Sequence, residues 1–144
     1  YVKNLIKSRK DAKAILNDTD PAPDDGAKLE GRLFIEKIYA LMDSHIADSG
    51  FKVEAFGQSI GLSRVQLYRR IKEQTGYSPN ELLRVYRLQK AKKLLSTTDL
   101  AVAEVAYRVG FSSPAYFTKC YREFYKELPT AFLKRMALKN EDSL

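Results

Sequence analysis

A chain of 144 residues, 44% hydrophobic and 30% charged, holds material for one ordinary domain with an appendage beneath a polar surface. Its apolar runs fall far short of the roughly 20 residues that cross a bilayer. One cysteine, Cys120, excludes an internal disulfide or a thiolate metal cage and suits a reducing compartment, and one histidine, His45, argues against His-based metal or triad chemistry. The net charge of +7 is unevenly spread: residues 1–50 hold 8 Lys/Arg and 9 Asp/Glu, whereas 51–139 hold 17 against 7. Such a basic segment fits a polyanion binder, and a solvated basic surface gives the same balance. The chain opens on Tyr1 with no signal-peptide pattern, which suits a piece of something longer.

In chain order, residues 1–16 read as a short amphipathic helix with Val2, Leu5, Ile6, Ala12, Ile15 and Leu16 loosely on one side. A helix that short is marginal alone and needs a partner surface. Residues 17–28 read as a linker, because two prolines and four aspartates between Asn17 and Gly26 leave nothing to pack. From Leu29 to Ala47 the helical period returns through Phe34, Ile38, Leu41, Met42 and Ile46, and Gly50 closes the stretch. Short blocks then follow: Val53–Ile60 ending at Gly61, Arg64–Thr75 capped by Ser63 and ended by Gly76, and Pro79–Leu95 capped by Ser78. Thr98 or Asp99 starts Leu100–Val109, Ser112-Ser113-Pro114 starts Ala115–Tyr125, and Leu128-Pro129-Thr130 starts Ala131–Lys139. No alternating run is long enough for a strand. The chain is expected to be all-α, with about seven helices after the linker, a domain over 29–139 and a tail over 140–144.

The stretch after Gly50 repeats itself. Ile60-Gly61-Leu62-Ser63 matches Val109-Gly110-Phe111-Ser112 at an offset of 49. One extra residue enters the second turn, after which Leu67, Arg69, Ile71, Lys72, Glu73, Pro79 and Leu83 match Phe117, Lys119, Tyr121, Arg122, Glu123, Pro129 and Leu133 at an offset of 50. Each copy has the form short helix, Gly-apolar-Ser turn, second helix, which is the helix-turn-helix pattern. The glycine supplies the left-handed corner, and the serine caps the second helix. Leu67 and Ile71, or Phe117 and Tyr121, face inward. The opposite face carries Arg64, Val65, Tyr68, Arg69 and Lys72 in copy one, and Ser113, Pro114, Thr118, Lys119 and Arg122 in copy two. With Ser63, Gln66 and Ala115 beside them, these form the candidate DNA-binding set. A helix laid in a major groove on that face offers cations to phosphates and hydrogen-bonding tips to base edges.

Residues 34–134 resemble the DNA-binding domain of the AraC/XylS family of transcription activators. The resemblance rests on Ser63-Arg-Val-Gln-Leu-Tyr-Arg-Arg-Ile-Lys72, Arg87-Leu-Gln-Lys-Ala-Lys-Lys-Leu-Leu95, Val102-Ala-Glu-Val-Ala-Tyr-Arg-Val-Gly-Phe-Ser112 and Tyr116-Phe-Thr-Lys-Cys-Tyr-Arg122. It implies a homeodomain-like pair of helix-turn-helix subdomains joined by one long linker helix, each subdomain placing a recognition helix in the major groove of promoter DNA. RNA polymerase is an implied partner, the setting is cytoplasmic, and a dimer through missing regions is possible. The sequence departs from the family pattern at Gly57, where alanine is usual, at Lys126, where the glycine seen here as Gly76 is usual, and at Arg70, where an apolar residue is usual. Tyr1-Val-Lys-Asn-Leu-Ile-Lys-Ser-Arg-Lys10 also resembles the tail of a response-regulator receiver domain, which implies an upstream receiver or sensor in a hybrid two-component regulator; a generic linker helix reads the same way.

Other chemistries find little support. No phosphate loop, paired-carboxylate constellation or metal-ligand spacing appears, so no enzyme activity, cofactor or metal is expected. His45 suits a surface or cap position, and Cys120 a small core position. The aromatic residues Phe111, Phe117, Tyr121 and Phe124 fall at inward positions, which favours core over base stacking on single strands. A basic helical protein-interaction module and an RNA or single-strand binder remain as alternatives. In a duplex reader, the helix from Pro79 to Leu95 makes a rod of roughly 25 Å. That suits two recognition helices about 34 Å apart, one turn of B-DNA. Leu82, Leu83, Tyr86, Leu88, Ala91, Leu94 and Leu95 are expected to pack, leaving Arg84, Arg87, Lys90 and Lys93 for solvent or phosphates.

Overall fold

Gly61, Gly76 and Gly110 stand just past helix ends, and Ser63, Ser78-Pro79, Ser113-Pro114 and Pro129 stand at helix starts. The computed structural model describes residues 25–142, and among these there are seven α-helices and no strand. They are α1 (Asp25–Ser44), α2 (Glu54–Ser59), α3 (Arg64–Thr75), α4 (Pro79–Thr97), α5 (Val102–Arg108), α6 (Pro114–Tyr125) and α7 (Pro129–Asp142). The expected helix over 1–16 and the linker up to residue 24 lie outside the described residues. Residues 25–28, expected to be linker, already belong to α1, and Asn140–Asp142, expected to be tail, complete α7.

The junction between α4 and α5 moved for a visible reason. Neither Thr98 nor Asp99 starts the next helix: the Thr98 Oγ1 donates to the Leu94 carbonyl at 2.6 Å, closing α4. The next helix then begins only at Val102, and its N-cap residue Ala101 makes no side-chain cap bond.

The described chain divides into two compact units. The first comprises residues 25–45 and 52–84; the second comprises Ile46–Phe51 and residues 85–142. The long helix α4 therefore supplies its first turns to one unit and the rest to the other.

In the first unit, α1 packs on α3, and α2 packs on α3. The expected period of α1 holds, with Phe34, Ile38 and Met42 buried, and Leu67, Ile71 and Thr75 are fully buried on α3. Each fully buried aliphatic side chain contributes roughly 1.5–3 kcal/mol relative to exposure, so this seam holds the unit together. Arg70, out of pattern in the sequence, places its guanidinium 4.1 Å from the centre of the Phe34 ring. A cation over an aromatic face covers the seam as an apolar side chain would, while keeping its charge near water.

The second unit is built on one cluster. Leu88, Ala91 and Leu95 of α4 meet Val105, Ala106, Val109, Phe111, Phe117, Cys120, Tyr121 and Phe132. A run of rings threads it, Phe111 to Phe117 at 5.2 Å, Phe117 to Tyr121 at 5.7 Å and Tyr121 to Tyr125 at 4.6 Å between centroids. Lys92 closes the edge with its ammonium 4.4 Å from the Tyr125 ring centre. Cys120 is buried, and His45 is exposed beyond the end of α1 with Nδ1 3.1 Å from the Leu41 carbonyl oxygen.

Candidate nucleic-acid interface

Each unit contains one helix-turn-helix corner, made by the same backbone device. In the first, the Leu62 N–H donates to the Gly57 carbonyl at 2.8 Å, and Gly61 sits at φ 76°. In the second, the Phe111 N–H donates to the Ala106 carbonyl at 3.0 Å, and Gly110 sits at φ 92°. The bond spans five residues in both copies, so the 49-residue offset is structural as well as sequential. The positive φ turns the chain sharply at little cost only for glycine.

The helix that leaves each corner is capped differently. Ser63 Oγ accepts from the Gln66 N–H at 3.2 Å while Gln66 Oε1 accepts from the Ser63 N–H at 2.8 Å, a reciprocal capping box. In the second copy Ser113 Oγ accepts from the Tyr116 N–H at 3.1 Å, and Pro114 fills the first helical position. The extra residue in the second turn therefore shifts the cap from Ser112 to Ser113, which is where the offset changes to 50.

The candidate residues fall into two groups. On α3 the exposed face consists of Arg64, Val65, Tyr68, Arg69 and Lys72, with Val65 65% and Tyr68 48% exposed despite their apolar surface. Ser63 and Gln66 are also exposed, but their side-chain oxygens are engaged in the cap. On α6, Ala115, Lys119 and Arg122 are exposed, and Ser113, Pro114 and Thr118 are half-buried. Ala115, Thr118, Lys119 and Arg122 line one open concavity of about 410 Å³ with Glu123 and Leu128. Sequence reasoning passed over Tyr116, 45% exposed beside this face with its ring 5.8 Å from Phe111. The offset of 50 marks it, since Tyr116 stands opposite Gln66.

Arg87 corrects an expectation. It is not available to solvent or phosphate: it is 9% exposed, and its Nη2 donates to the Asp48 carbonyl oxygen at 2.7 Å. Burial pulls the guanidinium below its ordinary pKa, against the opposing pull of the Asp48 carboxylate. Arg84 and Lys93 are exposed as expected, whereas Lys90 is half-buried with its ammonium 5.6 Å from the Tyr86 ring centre. Among the described residues, no group of His, Cys, Asp or Glu is arranged to hold a metal ion.

These features define the class: a tandem helix-turn-helix module. The profile of the family described as "Helix-turn-helix domain" matches residues 57–135. The chain belongs to this family, in its AraC-type branch. It is 31% identical over 137 residues, 93% of its length, to "Histidine kinase P4" of Formosa agariphila, and 34% identical over 92 residues, 64% of its length, to "HTH-type transcriptional activator RhaS" of Escherichia coli. The chain spans 10% and 33% of those two proteins. Among solved structures it is similar to the DNA-binding domain of AdpA, a global transcriptional factor, in complex with a target DNA: 30% identity, 72% of this chain and 93% of that one, TM-score 0.66.

Proposed function

We propose that this AraC-type module, a sequence-specific DNA-binding transcription regulator, reads double-stranded promoter DNA with α3 and α6, each laid in one of two successive major grooves. The observation that carries the reading is the doubled corner. Two capped helices, set by the same five-residue backbone bond, each present an exposed cationic face. In this assignment Arg69 is the base reader, because a guanidinium can bond guanine bidentately. Lys119 and Arg122 anchor phosphates, and Val65, Tyr68 and Thr118 supply apolar and hydroxyl contacts to base edges. Ser63 and Ser113 act through the caps and bring the N-terminal N–H groups of their helices to the backbone.

The likeness to a histidine kinase over nearly the whole chain supports a wider setting, with the module as the effector end of a hybrid two-component regulator. In that reading it acts in the cytoplasm with RNA polymerase as a partner. Among the described residues no helix is long and apolar enough to cross a membrane.

The test is gel shift at several salt concentrations with duplex and single-stranded competitors, followed by hydroxyl-radical footprinting. Duplex affinity is expected to fall by several log units per log unit of salt, and one chain to protect two patches about 10 base pairs apart. Lys119→Ala flattens the salt slope by about one. A slope near zero overturns the duplex reading, and preference for the single strand favours the alternative binder.

A further inference from the structure

We propose that Arg87 is a positioning residue for the second reading helix: it holds the strap Ile46–Phe51 against the Gly110 turn and thereby sets the aim of α6. This rests on the duplex-reading function above and adds a residue that touches no DNA.

The argument begins with the strap. These six residues follow α1 in sequence yet belong to the second unit. Asp48 shapes them: its Oδ1 accepts from the Gly50 N–H at 2.9 Å, and its carbonyl accepts from the Phe51 N–H at 3.1 Å. That same carbonyl accepts the Arg87 Nη2 bond at 2.7 Å. The guanidinium also closes over the corner of the second helix-turn-helix. A methyl group placed on Gly110 would lie 2.8 Å from Arg87 Nε and 2.9 Å from its Cζ, and would collide with the Ile46 carbonyl oxygen. Strap, guanidinium and turn are therefore packed with no room for one carbon atom. Three residues beyond Gly110 the Ser113 cap starts α6, so a shift of this corner re-aims the whole helix.

The choice of residue is informative. Arg87 is the one charged side chain that is buried among the described residues, and its Nε has no hydrogen-bond partner. A buried guanidinium with an orphan N–H is a poor route to stability, since an apolar replacement of similar volume is often neutral or stabilising. It is a good route to a fixed geometry, because a charge-assisted bond to one carbonyl admits few alternatives.

The experiment uses the 144-residue chain and a duplex enriched by the wild-type chain from a randomised library. Lys119→Ala and Arg122→Ala identify which protected patch belongs to α6. Arg87→Met is expected to keep the α3 patch, lose the α6 patch, and bind the two-patch duplex about 100-fold more weakly, the scale that a second linked module supplies. Its unfolding midpoint stays at or above that of the wild type. Arg87→Lys keeps one charged donor for the Asp48 carbonyl, so it restores the α6 patch and binds within about tenfold of wild type. In the DNA-free chain, amide exchange at Phe51 and Phe111 accelerates in Arg87→Met while α3 amides are unchanged. A wild-type footprint from Arg87→Met overturns the proposal. So does loss of both patches together with a lowered midpoint, which marks a purely structural residue, and so does failure of Arg87→Lys to restore the patch. If the wild-type chain enriches no duplex, the duplex reading itself falls and this inference falls with it. Enrichment by the wild-type chain thus tests the duplex reading and the footprints of the variants test Arg87, which separates the two failures.

Discussion

The two helix-turn-helix corners share a backbone and differ in almost everything that supports it. The first has an open glycine, a reciprocal capping box and a glycine at the end of its reading helix. The second has a walled-in glycine, a proline at the first helical position and a lysine in the left-handed end position. Both form the same five-residue bond across the turn. The lesson is that the corner is specified by one conformational requirement, a positive φ, and by an apolar residue to fill it. The remaining features adjust how firmly each copy is held.

The sharpest contrast is between the two corner glycines. A methyl group on Gly61 meets nothing within 4 Å, so Gly61→Ala bears only the left-handed strain of roughly 1–2 kcal/mol. Gly110→Ala bears that strain and the collision with the Ile46 carbonyl and Arg87, and overpacking of this kind adds about 1–3 kcal/mol. Guanidinium unfolding followed by circular dichroism should therefore show Gly110→Ala as the larger loss by about 2 kcal/mol. Equal losses would mean that the strap yields freely.

The caps come next in size. Ser63→Ala and Ser113→Ala should each cost about 1 kcal/mol. The two differ in coupling, because only Ser63 has a partner that returns the bond. A double-mutant cycle of Ser63→Ala with Gln66→Ala should show an interaction of about 0.5 kcal/mol or more, whereas Ser113→Ala with Tyr116→Phe should be additive. Coupling in the second pair would show that Tyr116 does more for the cap than offer its backbone N–H.

The reading helices also end differently. Gly76 at φ 80° and Lys126 at φ 63° occupy equivalent left-handed positions, and each N–H donates to the carbonyl four residues back at 2.8 Å. Lysine pays a steric cost there that glycine does not. Lys126→Gly is expected to stabilise the chain by about 1 kcal/mol, and Gly76→Lys to destabilise it by a similar amount. Thermal unfolding of both variants decides it; a destabilising Lys126→Gly would mean that its greater unfolded-state freedom outweighs the relief of strain.

Much of this was legible in the sequence because it is local. Ser63, Ser78-Pro79, Ser113-Pro114 and Pro129 mark helix starts, Gly61, Gly76 and Gly110 mark ends, and inward positions follow a three- and four-residue period, so Phe34, Ile38, Leu67, Phe117 and Tyr121 lie in the core as expected. The doubled pattern needed only an offset. What stayed hidden depends on contacts between residues distant in sequence or on competition for one atom. Arg87 and Asp48 are 39 residues apart, and nothing periodic joins them, so Arg87 read as one more surface cation. Gln66 stands in the candidate DNA-binding set, and nothing in the sequence reveals that its side-chain oxygen turns back to the Ser63 N–H. Thr98 or Asp99 reads as a helix start because either side chain can cap a following helix, whereas the Thr98 hydroxyl closes the helix before it. Arg70 looked out of place until the Phe34 ring was found beneath it.

The smallest expected effect lies at Gly57, the first-unit counterpart of Ala106. Glycine inside a helix costs roughly 0.5–1 kcal/mol relative to alanine, so α2 begins at a disadvantage that α5 does not share. A methyl group there would lie 3.1 Å from the Leu62 carbonyl oxygen and 3.3 Å from Leu67 Cδ2. Both contacts are tight. The leucine methyl can give by a few tenths of an ångström, whereas the carbonyl is tied to the corner by its chain neighbours. Yet Ala106 makes the same five-residue bond to Phe111 and is fully buried, so the corner tolerates a methyl group at this register. Gly57→Ala is therefore expected to stabilise the first unit slightly, by about 0.5 kcal/mol, after the contact offsets part of the helix gain. The complementary Ala106→Gly should cost the second unit about 1 kcal/mol. If Gly57→Ala instead weakens binding to duplex with unchanged stability, the first corner differs from the second in its angle as well as in its support, and the tandem is a pair of distinct readers.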